Sequence, residues 1–168
     1  MSSSAGGTFS IRSAVDGDQG LLLQFIKELA EFEKMTDEVV AEENVLRESF
    51  FGARPSAEAL IVEKGGEPVA FAVYFENFST FKGRAGLYLE DLFVRPAFRK
   101  QGIGKALLVH LAGIAKKRGC SRFEWVALDW NENAIQFYER LGARKVEEWK
   151  IFRLSGDNLD KLATSDDL

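Results

Sequence analysis

Hydrophobic residues recur with the period of a helix in three parts of the chain. Between residues 16 and 33, five of them share one helical face: Leu22, Phe25, Ile26, Leu29 and Phe32. Residues 41–50 carry a weaker stripe of the same kind. The third stripe consists of Ile103, Leu107, Leu111 and Ile114. It ends in a cationic turn followed by Gly119, a common C-terminal signal. The pattern predicts two well-defined helices and a weaker one.

Strands are predicted where short apolar runs are bounded by turn residues. These runs cover residues 8–14, 59–63, 69–75, 87–94, 123–128 and 146–154. Gly65 and Gly66 mark a turn between the second run and the third. A short helix, begun at Asn131 or Asn133 and closed by Gly142, is predicted between the last two runs. The order of elements indicates a mixed α/β domain.

Composition narrows the classes of protein. A chain of 168 residues fits one domain, which we place at residues 8–163, with a disordered N-terminus over 1–7 and a frayed C-terminus over 164–168. The net charge of −4 argues against nucleic-acid binding. No apolar run is long enough to span a membrane, so no membrane association is expected. The single cysteine, Cys120, forms no intrachain disulfide, and we expect a cytoplasmic protein.

A basic turn with two glycines, Arg99-x-x-Gly102-x-Gly104, joins the strand at 87–94 to the third helix. Glycines let backbone N–H groups approach an anion closely, and a helix N-terminus adds its positive dipole. Lys100 and Lys105 add positive charge. The turn therefore predicts a pyrophosphate-binding site. It lacks the third glycine of the dinucleotide fingerprint, and the preceding strands do not form βαβ units, which argues against a dinucleotide-binding domain.

Three further segments resemble one known family. They are Ile26–Glu33, Tyr88–Val94 (Tyr-Leu-Glu-Asp-Leu-Phe-Val) and Asp129–Ala143, which contains Trp-Asn-x-x-x-Ile-x-Phe-Tyr. With the glycine turn they resemble the GNAT superfamily of N-acetyltransferases, and within it the diamine (spermidine/spermine) and thialysine N-acetyltransferases, over residues 9–163. The resemblance implies an α/β (α+β) fold: a mixed, mostly antiparallel twisted sheet with splayed central strands, flanked by helices. The splayed strands would be residues 87–94 and 123–128.

The same resemblance implies the ligands. It implies acetyl-CoA as cosubstrate, a small amine as second substrate, no metal and a homodimer. The pantetheine arm would pair with the first splayed strand by β-augmentation, and one backbone N–H there would serve the oxyanion. The implied acetyl-CoA contacts are Leu92, Phe93, Val94, Arg99, Lys100, Gln101, Gly102, Ile103, Gly104, Lys105, Asn131, Glu132, Asn133, Ala134 and Tyr138.

Acetyl transfer to an amine sets three chemical requirements. An alkyl amine is protonated at neutral pH and must lose a proton before it attacks. The oxyanion needs a donor, and the departing thiolate needs an acid. Tyr138 matches the family's sulfur-protonating tyrosine, and Glu90, with Asp91 beside it, matches the group that accepts the amine proton through water. Neighbouring residues in a strand face opposite sides, so only one of the two acids faces a given pocket unless the strand bulges.

Acidic and aromatic residues form the implied amine site. They are Phe32, Glu33, Glu90, Asp91, Glu124, Trp125 and Val126. Carboxylates attract the substrate cation, and aromatic rings cover its methylenes. Phe32 also fits an ordinary core position, and the acids also fit solvated surface charges. Glu147 and Glu148 do not match the family in their spacing to Trp149, so their part stays open.

We therefore expect an acetyl-CoA-dependent N-acetyltransferase that acts on a small diamine, polyamine or thialysine-like amine by direct attack. The same chemistry on a protein N-terminus or lysine is an alternative, and it needs an open peptide groove. A non-catalytic acyl-CoA-binding module is a third reading, against which Tyr138 and the acidic residues argue.

Overall fold

The computed structural model describes residues 8–165, so the predictions for residues 1–7 and 166–168 lie outside the described chain. Five strands form one sheet in the order β1-β2-β3-β4-β5. Their bounds are β1 Phe9–Ser13, β2 Glu58–Lys64, β3 Glu67–Ser79, β4 Arg84–Val94 and β5 Phe123–Trp125. The first three pairings are antiparallel, and β4 pairs with β5 in parallel. This confirms the expected mixed, mostly antiparallel sheet.

Helices account for most of the remaining regular structure. Their bounds are α1 Gln19–Glu33, α2 Glu43–Phe51, α3 Ile103–Lys117, α4 Glu132–Arg140 and α5 Gly156–Ala163. Short 3-10 turns occupy Thr36–Glu38 and Pro96–Phe98. The chain divides into two compact units, the first ending at Val126 and the second beginning at Ala127. The sheet and the first three helices belong to the first unit, and α4 and α5 belong to the second.

The first helix is fixed to its face of the sheet by an aromatic stack under an ion pair. Phe25 is fully buried and its ring lies parallel to that of Phe71, with centroids 5.0 Å apart. Arg95 places its guanidinium 4.8 Å above the Phe25 ring and donates two hydrogen bonds of 2.9 Å to Glu28. The pair encloses the stack on the solvent side. Helix α1 is therefore held in place along the β3–β4 part of the sheet.

Strand β4 contains a bulge that changes which side chains face α1. Tyr74 of β3 pairs with Leu89, but its neighbour Val73 pairs with Asp91, so Glu90 is an additional residue in β4. Val73 lies in the core beneath α1. Tyr74 lies on the α3 face, where Arg118 of α3's C-terminal end is 5.9 Å from its ring.

Paired residues in adjacent strands point to the same face of a sheet. The β3 partner of each β4 residue therefore shows which face that β4 side chain occupies. Leu89 accordingly faces α3, whereas Asp91 faces α1. In a regular strand these two residues, two positions apart, would share one face. The bulge therefore brings Asp91 to the α1 face while keeping Leu89 in the core on the other side.

Two predictions for the later part of the chain were wrong in detail. The strand predicted at 123–128 ends at Trp125, and residues 146–154 do not form a strand in the described chain. A turn at 147–148 interrupts the second segment, and the apolar side chains of Trp149 and Phe152 are exposed. Alternating apolar residues indicate a segment with one apolar face. A strand also requires a neighbouring strand that accepts and donates its backbone hydrogen bonds. Helix α5 was not predicted.

The stack beneath α1 generates a stability prediction. Phe25→Ala should lower the free energy of unfolding by about 3–5 kcal/mol, because it removes a fully buried ring and leaves a cavity beneath Arg95. Urea denaturation measures the change. Phe81→Ala is the matched control, since that ring is 98% exposed, and it should change stability by less than about 0.5 kcal/mol. Equal losses in the two variants would show that the stack does not stabilise α1.

Candidate active site

The glycine turn before α3 has the backbone geometry of an anion-binding site. Gly102 is the N-cap of α3 with a φ of 83°, and Lys100 has a φ of 61°, so both lie in the left-handed region. A side chain at Gly102 would meet strain there. The first N–H groups of a helix have no partner within it, and here they point out of α3 beside two lysines, Lys100 and Lys105. The turn can therefore hold a phosphate group.

Arg99 connects this turn to the predicted amine site. Its Nε donates a hydrogen bond of 2.9 Å to the carbonyl oxygen of Val94. Its guanidinium lies 4.7 Å from the centroid of the Phe32 ring and 5.6 Å from that of Phe93. The structure thus brings a predicted cosubstrate residue into contact with Phe32, a predicted substrate residue at the end of α1.

The bulge in β4 gathers three carboxyl groups. Glu90 is exposed, whereas Asp91 is partly buried on the α1 face. Burial, together with the negative charges of Glu90 and Glu33, raises the pKa of Asp91 to about 6. Burial also raises the pKa of Glu33. The structure therefore brings these three predicted residues together, and Asp91 holds a proton more tightly than an ordinary carboxyl group.

Strands β4 and β5 stop pairing just before this cluster. Their pairing ends at Leu89 with Trp125, although β4 continues to Val94. The β4 edge that carries Leu92, Phe93 and Val94 consequently has no partner in β5. An open edge of this kind can pair with an extended amide-containing ligand, as the sequence predicted for pantetheine.

The predicted amine-site residues in and just after β5 differ in their contacts and exposure. Glu124 is ion-paired with Arg122, whose Nε lies 2.7 Å from Oε1, so its charge is compensated. Trp125 packs against Phe123 with ring centroids 4.9 Å apart. Val126 is exposed. The predicted site residue Glu124 is therefore one half of an ion pair with Arg122.

The second unit carries the other predicted residues on α4. Asn131 caps this helix, and its Oδ1 accepts a hydrogen bond of 3.4 Å from the N–H of Ala134. Glu132 and Asn133 lie in the exposed first turn. Tyr138 packs against Phe137 at a centroid distance of 5.6 Å, and burial raises the pKa of its phenol. The phenol is therefore protonated at neutral pH. Glu147 and Glu148 lie in a later turn, separate from the one at 141–142 that follows α4.

Sequence reasoning missed two polar residues next to Glu124. Asn77 of β3 donates a long hydrogen bond of 3.4 Å from Nδ2 to Glu124, and Arg122 forms the ion pair. The signal for Arg122 was its position two residues before Glu124 at the start of a strand, which places both side chains on one face.

Metal-binding groups of three or more His, Cys, Asp or Glu side chains do not occur among residues 8–165. None of the helices within that range is both long enough and apolar enough to cross a bilayer.

Comparison with known proteins agrees with this geometry. Residues 23–143 match the acetyltransferase (GNAT) family. The chain is 41% identical over 164 residues to the thialysine N-epsilon-acetyltransferase of Sus scrofa, covering 91% of this chain and 96% of that protein. It is also 41% identical over 110 residues to an L-ornithine N5-acetyltransferase of Arabidopsis thaliana, covering 64% of this chain and 48% of that one.

A solved structure supports the fold over nearly the whole chain. An integron cassette protein from the mobile metagenome of V. cholerae superimposes with a TM-score of 0.82 at 29% identity, covering 95% of this chain and all of the other. The glycine turn, the separated strands and the sequence matches lead to one conclusion: this chain belongs to the GNAT family of acetyltransferases and has its α/β fold.

Proposed function

We propose that this N-acetyltransferase moves the acetyl group of acetyl-CoA to the primary amine of a small diamine, polyamine or thialysine-like substrate. The observation that carries the proposal is the group of three carboxylates at the β4 bulge, beside the open edge of that strand. Such a group attracts a small cation and can also accept its proton. The names of the thialysine and ornithine relatives support a substrate of this class.

The cosubstrate is proposed to bind along the open β4 edge with its pyrophosphate at the glycine turn. Gly102, Gly104 and the lysines of the turn would hold the phosphates, and the amides of Leu92 to Val94 would pair with pantetheine. A backbone N–H of the same strand would donate to the carbonyl oxygen as negative charge develops there. Residues Asn131 to Ala134 are proposed to complete the binding of CoA.

The reaction is proposed as a direct transfer. The substrate ammonium gives a proton to the Glu90–Asp91 pair, through water or directly, and the free amine attacks the thioester carbon. The N–C bond forms, and the nitrogen of the tetrahedral intermediate loses its second proton to water. The intermediate then collapses as the C–S bond breaks, and Tyr138 supplies a proton to the departing thiolate and regains one from solvent. Glu33 holds the cation and Phe32 covers its methylenes near the bulge.

The expected assembly is a homodimer.

The proposed cosubstrate site is tested best at Gly104. A Cβ there would lie 3.9 Å from Leu92 Cδ2, an ordinary contact, so Gly104→Asp is expected to fold. Its carboxylate at the second residue of α3 favours the helix but repels phosphate. Acetyl-CoA affinity, measured by calorimetry, should fall by roughly 100-fold or more. The matched control is Gly113→Asp on an exposed, open part of α3, which should bind normally. Equal affinity in the two variants contradicts the site.

The proton acceptor predicts a pH profile with a break. Because the substrate ammonium gives its proton to the enzyme, the productive complex forms from ionised Asp91 and a protonated amine. Log kcat/KM should therefore rise with a slope of one below pH 6 and level off above it, until the amine itself loses its proton near pH ~10. Asp91→Asn should remove the break. Glu90→Gln should move it to lower pH, because the Glu90 charge raises the Asp91 pKa. A break that disappears in Glu90→Gln and persists in Asp91→Asn would make Glu90 the acceptor.

The general acid predicts a selective loss of turnover. Tyr138→Phe should lower kcat by roughly ten- to a thousandfold, the range of a lost general acid. Acetyl-CoA affinity should stay within error, because the ring that packs against Phe137 is retained. Thiol release measured in steady state gives kcat, and calorimetry gives the affinity. Unchanged turnover would leave Tyr138 as a packing residue.

A panel of amines tests the substrate class. Spermidine, putrescine, thialysine, ornithine, lysine and a basic peptide should be compared by kcat/KM with acetyl-CoA. A peptide that exceeds every small amine would favour the protein acetyltransferase alternative, and the acidic residues at the bulge would then form part of a peptide-binding surface.

A further inference from the structure

A second polar cluster lies on the same face of the sheet as Asp91. Phe75 and Asn77 follow Val73 at alternate positions in β3, so all three face α1. Phe75 pairs with Tyr88, which in turn pairs with Glu124 of β5. These residues form a row next to that of Asp91 and Val73.

Arg122 reaches across to this cluster from the start of β5. A Cβ on Gly86 would collide with Asn77 Oδ1 and lie 2.9 Å from Arg122 Cγ, so both side chains cross the space that this glycine leaves empty. Arg122 is ion-paired through Nε to Glu124, and its Nη2 donates a hydrogen bond of 3.3 Å to the carbonyl oxygen of Phe78. Gly86 is thus needed for the cluster to assemble.

The cluster is not complete in itself. Asn77 Oδ1 is buried and has no hydrogen-bond partner among residues 8–165. A buried acceptor without a donor is costly and rare in a protein core. Arg122 has five N–H donors, and the contacts above use two of them. Glu124 has a second oxygen besides the one that Arg122 contacts. The cluster therefore presents both a cation and an anion, and both side chains are partly exposed.

A charge pair of this kind is complementary to a zwitterion. An α-amino acid head group carries a carboxylate, which a guanidinium binds in a two-point hydrogen-bonded contact, and an ammonium, which a carboxylate accepts. A diamine has the second group but not the first. Arg122 thus offers a contact that only the amino acid can use.

The spacing between the two clusters fits such a substrate. Adjacent rows on one face of a strand are separated by about 6.6 Å, twice the rise per residue. The side-chain nitrogen and the α-carbon of ornithine or thialysine are four or five bonds apart, or roughly 5 to 7 Å when extended. The rings of Phe75 and Tyr88, with centroids 5.1 Å apart, lie in the row of Glu124 and provide an apolar surface for the methylenes.

We infer that Arg122 and Glu124, supported by Asn77, form a subsite for the α-amino and α-carboxylate groups of an amino acid whose side-chain amine is acetylated at the β4 bulge. The inference rests on the proposed function and narrows its substrate class from small amines to diamino acids. Asn77 is a positioning residue, whereas Arg122 and Glu124 contact the substrate.

The test compares substrates that differ only in the carboxylate. Putrescine is ornithine without its carboxylate, and ornithine methyl ester keeps the ammonium but loses the negative charge. The wild-type enzyme should acetylate ornithine with kcat/KM roughly 10- to 100-fold higher than either analogue, the range expected for a charge-assisted contact. Thialysine and its decarboxylated counterpart should show the same ratio.

The Arg122→Gln variant should abolish this preference. We expect KM for ornithine to rise roughly 10- to 100-fold with little change in kcat, while kcat/KM for putrescine stays the same or increases because Glu124 loses its partner. Arg54→Gln, on the exposed loop after α2, is the matched control and should keep the wild-type ratio.

The outcomes separate this inference from the proposed function. Equal rates for ornithine, its ester and putrescine in the wild type, or equal losses for all three in Arg122→Gln, overturn the subsite but leave the acetyltransferase intact. Absence of thiol release with every amine in the panel overturns the proposed substrate class, and the subsite with it. If Arg122→Gln does not fold, the ester comparison on the wild type decides alone.

Discussion

One additional residue in β4 determines where the acidic chemistry of this protein lies. Because Glu90 is inserted into the register between β3 and β4, the strand changes parity, and Asp91 faces α1 instead of α3. The apolar residues on both sides of the bulge keep their core positions, since Leu89 and Phe93 remain buried on opposite faces. A regular strand could not bury Leu89 and Phe93 on opposite faces, because the two are four residues apart.

The elements around the bulge depend on the anchoring of α1. The Phe25–Phe71 stack and the bidentate pair between Arg95 and Glu28 fix this helix along the sheet. Its last residue, Glu33, therefore comes close enough to Asp91 to raise the pKa of that carboxyl group. The packing of α1 on the sheet thus fixes the position of Glu33. This brings the Glu33 carboxylate of α1 close to the Glu90 and Asp91 carboxylates of β4.

Periodicity predicted the elements of the first unit well, because each has a face that must be buried. Helices α1 and α3 and strands β2 to β4 follow directly from apolar spacing, with ends displaced by a few residues. The bulge at Glu90 could not be predicted, since it depends on register with β3 and not on the sequence of β4. Residues 146–154 show a different error. Their alternating pattern predicted a strand, but these residues pair with no neighbouring strand in the described chain. The ion pair between Arg122 and Glu124 could not be predicted from the acidic residues alone, because their positions do not show which carboxylates have a cationic partner.

The elevated pKa of Asp91 has a thermodynamic consequence for the free protein. In the unfolded chain this carboxyl group loses its proton near 3.8, and in the folded chain it does so at about 6. The folded state therefore binds the proton more tightly, and that contribution to stability is full below pH 4 and lost as pH rises through 6. The loss amounts to at most about 3 kcal/mol. A bound ammonium would compensate the partly buried charge of ionised Asp91, so cation binding restores at neutral pH the stability that ionisation removes.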